Sequence, residues 1–84
     1  MNVSTKIKNS EQTQKEVDVF CRNVKTLRER HGLSKKEMAK ILGVGAESLT
    51  KIEQGIIPDR TSVSIVIKLS QYFNIEPHKL FTLL

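Results

Sequence analysis

Three residues at fixed spacing restrict this chain more than any other feature: Ala39, Gly43 and Leu49. A small side chain at 39 lets two backbones cross closely. A glycine four residues on allows the positive φ of a tight turn. A leucine six residues further lies where a second short helix packs back on the first. Met38, Leu42, Val44 and Ile52 supply apolar filling for the wedge between them. Each position has its own steric reason, so the joint pattern predicts two short helices meeting at an angle between Lys35 and Gln54. Ser34-Lys35-Lys36-Glu37 opens the first as a capping box, with the serine hydroxyl and the glutamate carboxylate satisfying each other's backbone amides. The second runs from about Ala46 to Gln54, and Gly55 stops it.

The flanks also read as helical. Val17, Phe20, Val24 and Leu27 recur at three- and four-residue steps, with Arg22, Lys25, Glu29 and Arg30 opposite. His31 and Gly32 end this helix, Gly32 suiting the left-handed position past a C-terminus. Before it, residues 1–15 hold only Val3 and Ile7 as large apolar groups and read as a flexible polar arm, turning helical toward its end. A connector over 55–61 contains Gly55 and Pro58, and Thr61 or Ser62 can cap a fourth helix. There Val63, Val66, Ile67, Ser70 and Phe73 fall on one face, with Ile65, Leu69 and Tyr72 beside it. Ser62 to Ile67 is β-branched enough to read as a strand on local pattern alone. Asn74 is a stop signal, and Pro77 suits the first turn of a last short helix carrying Leu80, Phe81, Leu83 and Leu84. These elements make one domain over 16–84 behind the arm, with Ser62 to Ile67 open between helix and strand at this point.

Composition narrows the function. Eighty-four residues make one domain. Fourteen Lys and Arg against nine Asp and Glu give a net charge of +5, which points to a polyanion, ordinary solubility charge being the plain alternative. Cys21 is the only cysteine, so no intramolecular disulfide forms and a reducing cytoplasm fits. There is no apolar run of about 18 residues to span a membrane and no signal-peptide pattern. His31, His78 and Cys21 lack metal-ligand spacing. Gly43-Val44-Gly45 is not followed by the Lys of a phosphate loop. No acid pair or Ser/His/Asp set suggests catalysis. The expectation is a cytoplasmic protein that is no enzyme, with no catalytic residues, cofactor, metal or small-molecule effector.

The run from Val24 to Val44, VKTLRERHGLSKKEMAKILGV, resembles the opening of the Cro and phage-repressor (XRE-like) family of helix-turn-helix regulators. Leu49-Thr50-Lys51-Ile52-Glu53-Gln54-Gly55 resembles the segment closing that family's recognition helix, and LSQYFNIEPHKL from Leu69 to Leu80 resembles its last two helices. The resemblance covers about residues 18–82. It implies an all-α fold, a compact five-helix lambda-repressor-like domain in which Ser62 to Ile67 is helical and whose third helix lies in the major groove of double-stranded DNA.

It also implies roles. Arg28 and Glu53 match an ion pair tying helix 1 to the end of helix 3. Ala46, Glu47, Thr50 and Lys51 match base-contacting positions. Lys51 can donate to guanine, Glu47 accept from a cytosine amino group, Thr50 hydrogen-bond or touch a thymine methyl, and Ala46 offer an apolar contact. Ser34, Lys35 and Lys36 at the start of helix 2, with Ser48, Gln54 and Arg60, match phosphate-contacting positions; Lys25 and Lys40 are further candidates. Gly45 departs from the family's usual Ser or Thr before helix 3, and the connector Ile56 to Arg60 is longer than its commonest form. With Glu53 taken by Arg28, helix 3 exposes a near-neutral balance. The implied function is a sequence-specific transcriptional regulator, a repressor, binding as a homodimer through the C-terminal segment. Ile75, Leu80, Phe81, Leu83 and Leu84 serve that contact or simply complete the monomer core. Two alternatives stand beside it: a protein-interaction module such as an antitoxin or adaptor, and a non-specific chromosome binder.

Overall fold

The computed structural model describes the backbone of residues 3–57 and 62–84 and the side chains of 14–57 and 63–84. Four α-helices follow in order, α1 (Val3–Arg30), α2 (Lys35–Leu42), α3 (Ala46–Glu53) and α4 (Ser62–Phe73), and a 3-10 helix spans Pro77–Phe81. All regular structure among the described residues is helical, as the all-α reading expects, and the Ser62–Ile67 run is helix rather than strand.

Helix α1 starts well before its apolar stripe, so the backbone expected as an arm over 1–15 is helical from Val3. Lys, Glu and Gln are frequent there and are good helix formers. Extending a helix already nucleated by a packed segment costs little. The packed segment opens at half-buried Val17 and continues through buried Phe20, Cys21, Val24 and Leu27, while Arg22, Lys25, Glu29 and Arg30 face solvent. The helix ends in a Schellman motif. Gly32 takes φ +64°, Leu33 N donates to Arg28 O at 2.9 Å, and Gly32 N donates to Glu29 O at 3.1 Å.

The α2–α3 turn repeats that motif one helix later. Gly43 has φ +73°, its amide donates to Lys40 O at 3.2 Å, and Val44 N donates to Ala39 O at 2.9 Å. Here the left-handed backbone is what calls for glycine, since it disfavours a side chain; the one close neighbour of a Cβ, Lys68 Nζ from α4, is the far end of a flexible side chain. Ala39, at 4% exposure, permits the close crossing, and Leu49 and Ile52 of α3 are fully buried with Met38 and Leu42. These residues meet Phe20, Cys21, Val24 and Leu27 of α1, Ile65 and Leu69 of α4, and Leu80 in a single core.

Helix α4 is rotated from the expected face. Ile65 and Leu69 are fully buried, Val66, Ser70 and Phe73 half-buried, and Val63, Ile67 and Tyr72 exposed. The helix is apolar over so much of its circumference that local pattern cannot select a side. Packing against α2 and the 3-10 helix selects it. The expected cap at Thr61 lies outside the described residues.

Asn74, at φ +55°, ends α4, and Ile75 N donates back to Ser70 O at 3.1 Å. Beyond it one α1 side chain gathers the end of the chain. Asn23 is 1% exposed. Its amide nitrogen donates to Leu80 O and Thr82 O, both at 2.7 Å, and its amide oxygen accepts from Leu84 N at 3.2 Å. Phe81 stacks on Phe20 at 5.3 Å between ring centroids. Leu80 is buried, and Ile75, Phe81 and Leu84 pack against the core, leaving Leu83 as the exposed large apolar residue of this segment.

Candidate nucleic-acid interface

With Leu49 and Ile52 inside, the spacing of α3 turns its remaining positions outward. Ala46, Glu47 and Lys51 are exposed, Ser48 and Thr50 half-buried, and Gln54, the C-cap, exposed. Gly45 caps α3 with φ −76° and ψ 161° and offers no side-chain acceptor to the first-turn amides. The N-terminal end of α3 is therefore polar, open and uncapped except by backbone. Thr50 Oγ1 donates to Ala46 O at 3.1 Å, so its single proton is spent on its own helix. Glu47 and Lys51 stand one turn apart, the arrangement that favours an ion pair. They make none with each other, since the ion pairs among the described residues are Arg28–Glu53 and a 3.5 Å contact of His78 with Glu76.

Arg28 bonds α1 to the end of α3. Its Nε donates to Glu53 Oε2 at 2.7 Å and one terminal nitrogen to Glu53 Oε1 at 3.2 Å. The other donates to Leu33 O at 3.2 Å, immediately before the α2 cap. One guanidinium thus joins the end of α1, the entry to α2 and the end of α3. The pair is nearly dry, with side chains 14% and 5% exposed, and the hydrogen bonds to Glu53 raise the Arg28 pKa above its ordinary value. Bidentate geometry of this kind fixes direction as well as distance.

At the other side of the turn the α2 cap is complete. Glu37 N donates to Ser34 Oγ at 3.0 Å, and Ser34 N donates to Glu37 Oε1 at 2.8 Å. Bonds from the Ser34 backbone and then its side chain hold the Glu37 carboxyl below the usual glutamate range. Lys35 and Lys36 are exposed at this helix start, where the macrodipole is positive.

Several expected contact residues share one crevice. Lys35, Thr50 and Gln54 line about 380 Å³ together with Lys25, Arg28, Glu29 and Glu53. A second polar crevice of about 320 Å³ continues along α1 past Asp18, Cys21, Arg22, Lys25 and Gly55. Arg22 was missed as a candidate; its place on the outward face of α1, one turn before Lys25, was the available signal. Lys40 is exposed on α2, and Arg60 lies outside the described residues. Burial, then the charge of Asp18, pushes the Cys21 thiol up to about 11, so it is protonated and a poor nucleophile near neutrality. Among the described residues no group of His, Cys, Asp and Glu could hold a metal ion, and no helix is long and apolar enough to cross a membrane.

A family model described as helix-turn-helix matches residues 24–80, more than half of the chain. Comparison with curated proteins and with solved structures finds no match.

Proposed function

The chain belongs to the helix-turn-helix family of DNA-binding regulators, and from that premise we propose that it is a sequence-specific repressor reading the major groove with α3. The observation that carries this reading is the division of α3 into two sides. Leu49 and Ile52 are wholly inside, while Ala46, Glu47 and Lys51 stand in solvent on a helix bonded to α1 through Arg28 and Glu53. On this reading Lys35 and Lys36 take backbone phosphates at the start of α2. Ser34, Ser48, Gln54 and Arg60 add further backbone contacts, and residues 46, 47, 50 and 51 face base edges. Occupying an operator would then exclude competing proteins, in the cytoplasm and without catalysis.

A homodimer would place two α3 helices in successive major grooves, ~34 Å apart. Its contact surface would draw on exposed Leu83 and on a groove of about 250 Å³ that Phe81 of the same segment lines with Val17, Phe20, Ile57, Val63 and Val66. Selection from a random duplex pool, followed by titration with salt, tests the reading. An enriched, two-fold symmetric sequence whose affinity falls steeply with salt is expected.

A second reading, a protein-interaction module of the antitoxin or adaptor kind, is favoured by exposed Val63, Ile67 and Tyr72 on α4 together with the near-neutral face of α3. No duplex binding at low salt would select it over the repressor.

A further inference from the structure

The outward side chains of α3 divide sharply by hydrogen-bond polarity. Ala46 has no polar group. Glu47 as a carboxylate only accepts. Thr50 could do both, but its proton goes to Ala46 O at 3.1 Å, which leaves it lone pairs and a methyl. Lys51 only donates. Gly45, just before the helix, adds nothing. Lys51 is therefore the one side-chain proton donor among positions 46, 47, 50 and 51. Glu47, exposed and not ion-paired with Lys51, is the one charged acceptor there.

We propose that this polarity sets the operator: each half-site holds a G·C step in which a cytosine amine faces Glu47 and a guanine faces Lys51. The inference rests on the DNA-reading role of α3 and specifies its ligand. Residues one turn apart on a helix have Cβ atoms about 5–6 Å apart, so the two heads reach one base pair or two neighbouring ones. In the major groove cytosine shows the N4 amine, a pure donor, whereas adenine shows a donor beside the N7 acceptor. A carboxylate is matched by the first and repelled by the lone pair of the second. Guanine shows two acceptors, N7 and O6, which suit an ammonium with three donors. Thr50, whose hydroxyl bonds within its own helix, adds no demand for an acceptor base and can sit beside a thymine methyl.

The test compares the intact chain with Glu47→Gln and Lys51→Ala in selections from one random duplex pool at low salt. All three chains should keep the same helicity and melting temperature, since both side chains are exposed. The unmodified chain should fix G·C at the shared step. A glutamine both donates and accepts and fits adenine in a bidentate manner, so Glu47→Gln should exchange cytosine for adenine at that position by about tenfold in preference. Lys51→Ala should lose the guanine preference and leave the cytosine position selected. If the unmodified chain enriches a sequence lacking the G·C step, or Glu47→Gln still takes cytosine, the polarity code is overturned while the DNA-reading role stands. If the unmodified chain enriches nothing, that role falls, and the operator assignment with it.

Discussion

Helices α2 and α3 are both eight residues long and meet across Gly43, yet they are held by opposite means. Helix α2 is secured locally at both ends, by the Ser34–Glu37 box at its start and by the left-handed Gly43 at its finish. Helix α3 has a bare glycine at its start and owes its place to distant partners, the core around Leu49 and Ile52 and the guanidinium of Arg28. Isolated helices this short are marginal in water. The chain therefore places its local stabilisation in the helix that acts as a platform. Helix α3, the one proposed to face DNA, relies on tertiary contacts, and its N-terminal end stays clear.

The largest test of this contrast is at the buried anchor of α3. Leu49→Ala should lower stability by about 3 kcal/mol, since it removes a fully buried side chain and leaves a cavity. Chemical denaturation would measure it. A loss below about 1 kcal/mol would mean that α3 does not depend on the core as described.

Next comes Glu53→Gln, which strips the charge from a nearly dry ion pair while keeping its shape. The cost should be about 2 kcal/mol, between the values for exposed and for buried pairs. Arg28 would keep its bond to Leu33 O, so α3 should loosen more than α2. Amide hydrogen exchange along both helices would reveal that. Equal deprotection in α2 and α3 would erase the contrast.

What could be read from sequence follows the same division. The capping box, Gly32 and Gly43 are local rules, each acting within a few residues, and the Ala39–Leu49 spacing reaches only to the next helix; all appear in the structure where the pattern places them. The buried face of α4 is not legible locally, because Val63 and Ile67 are as apolar as Ile65 and Leu69, and the positions of α2 and the 3-10 helix distinguish them. The start of α1 is not legible from pattern, because the polar segment before Val17 carries no periodicity, although its residues favour helix. The Asn23 clasp joins residues about sixty positions apart. The signal available was that Asn23 lies three residues after Phe20 and four before Leu27, on the inward face, where a polar side chain needs partners. The site candidates come from the family resemblance; helix spacing accounts for the outward place of Ala46, Glu47 and Lys51 once Leu49 and Ile52 are inside, while Arg60 belongs to the connector, where no periodic rule applies.

Ser34→Ala probes the local side of the contrast and should cost about 1 kcal/mol, the usual loss for a serine N-cap. The partner carboxyl gives the effect a pH signature. Glu37 is held below its ordinary value in the folded chain, so its contribution is present above about pH 4.3, the value in unfolded chains, and disappears as pH falls through the folded-state value. Melting curves of Glu37→Gln and the unmodified chain should therefore differ at pH 7 and converge in acid. A gap that persists at low pH would assign the effect to shape rather than charge.

The smallest expected effect is at the other cap, and it has the opposite sign. Gly45 sits at φ −76° and ψ 161°, backbone that any residue adopts, and a Cβ there meets nothing within 4 Å. Gly45→Ser should supply the acceptor that α3 lacks and reduce the freedom of the unfolded chain, a combined gain of about 0.5 kcal/mol. The same substitution at 43 would meet a left-handed backbone and should destabilise. A serine at 45 that leaves the melting temperature unchanged would show that α3 is already as stable as a capped helix. The bare N-terminus would then follow from tertiary packing alone and would not weaken the helix.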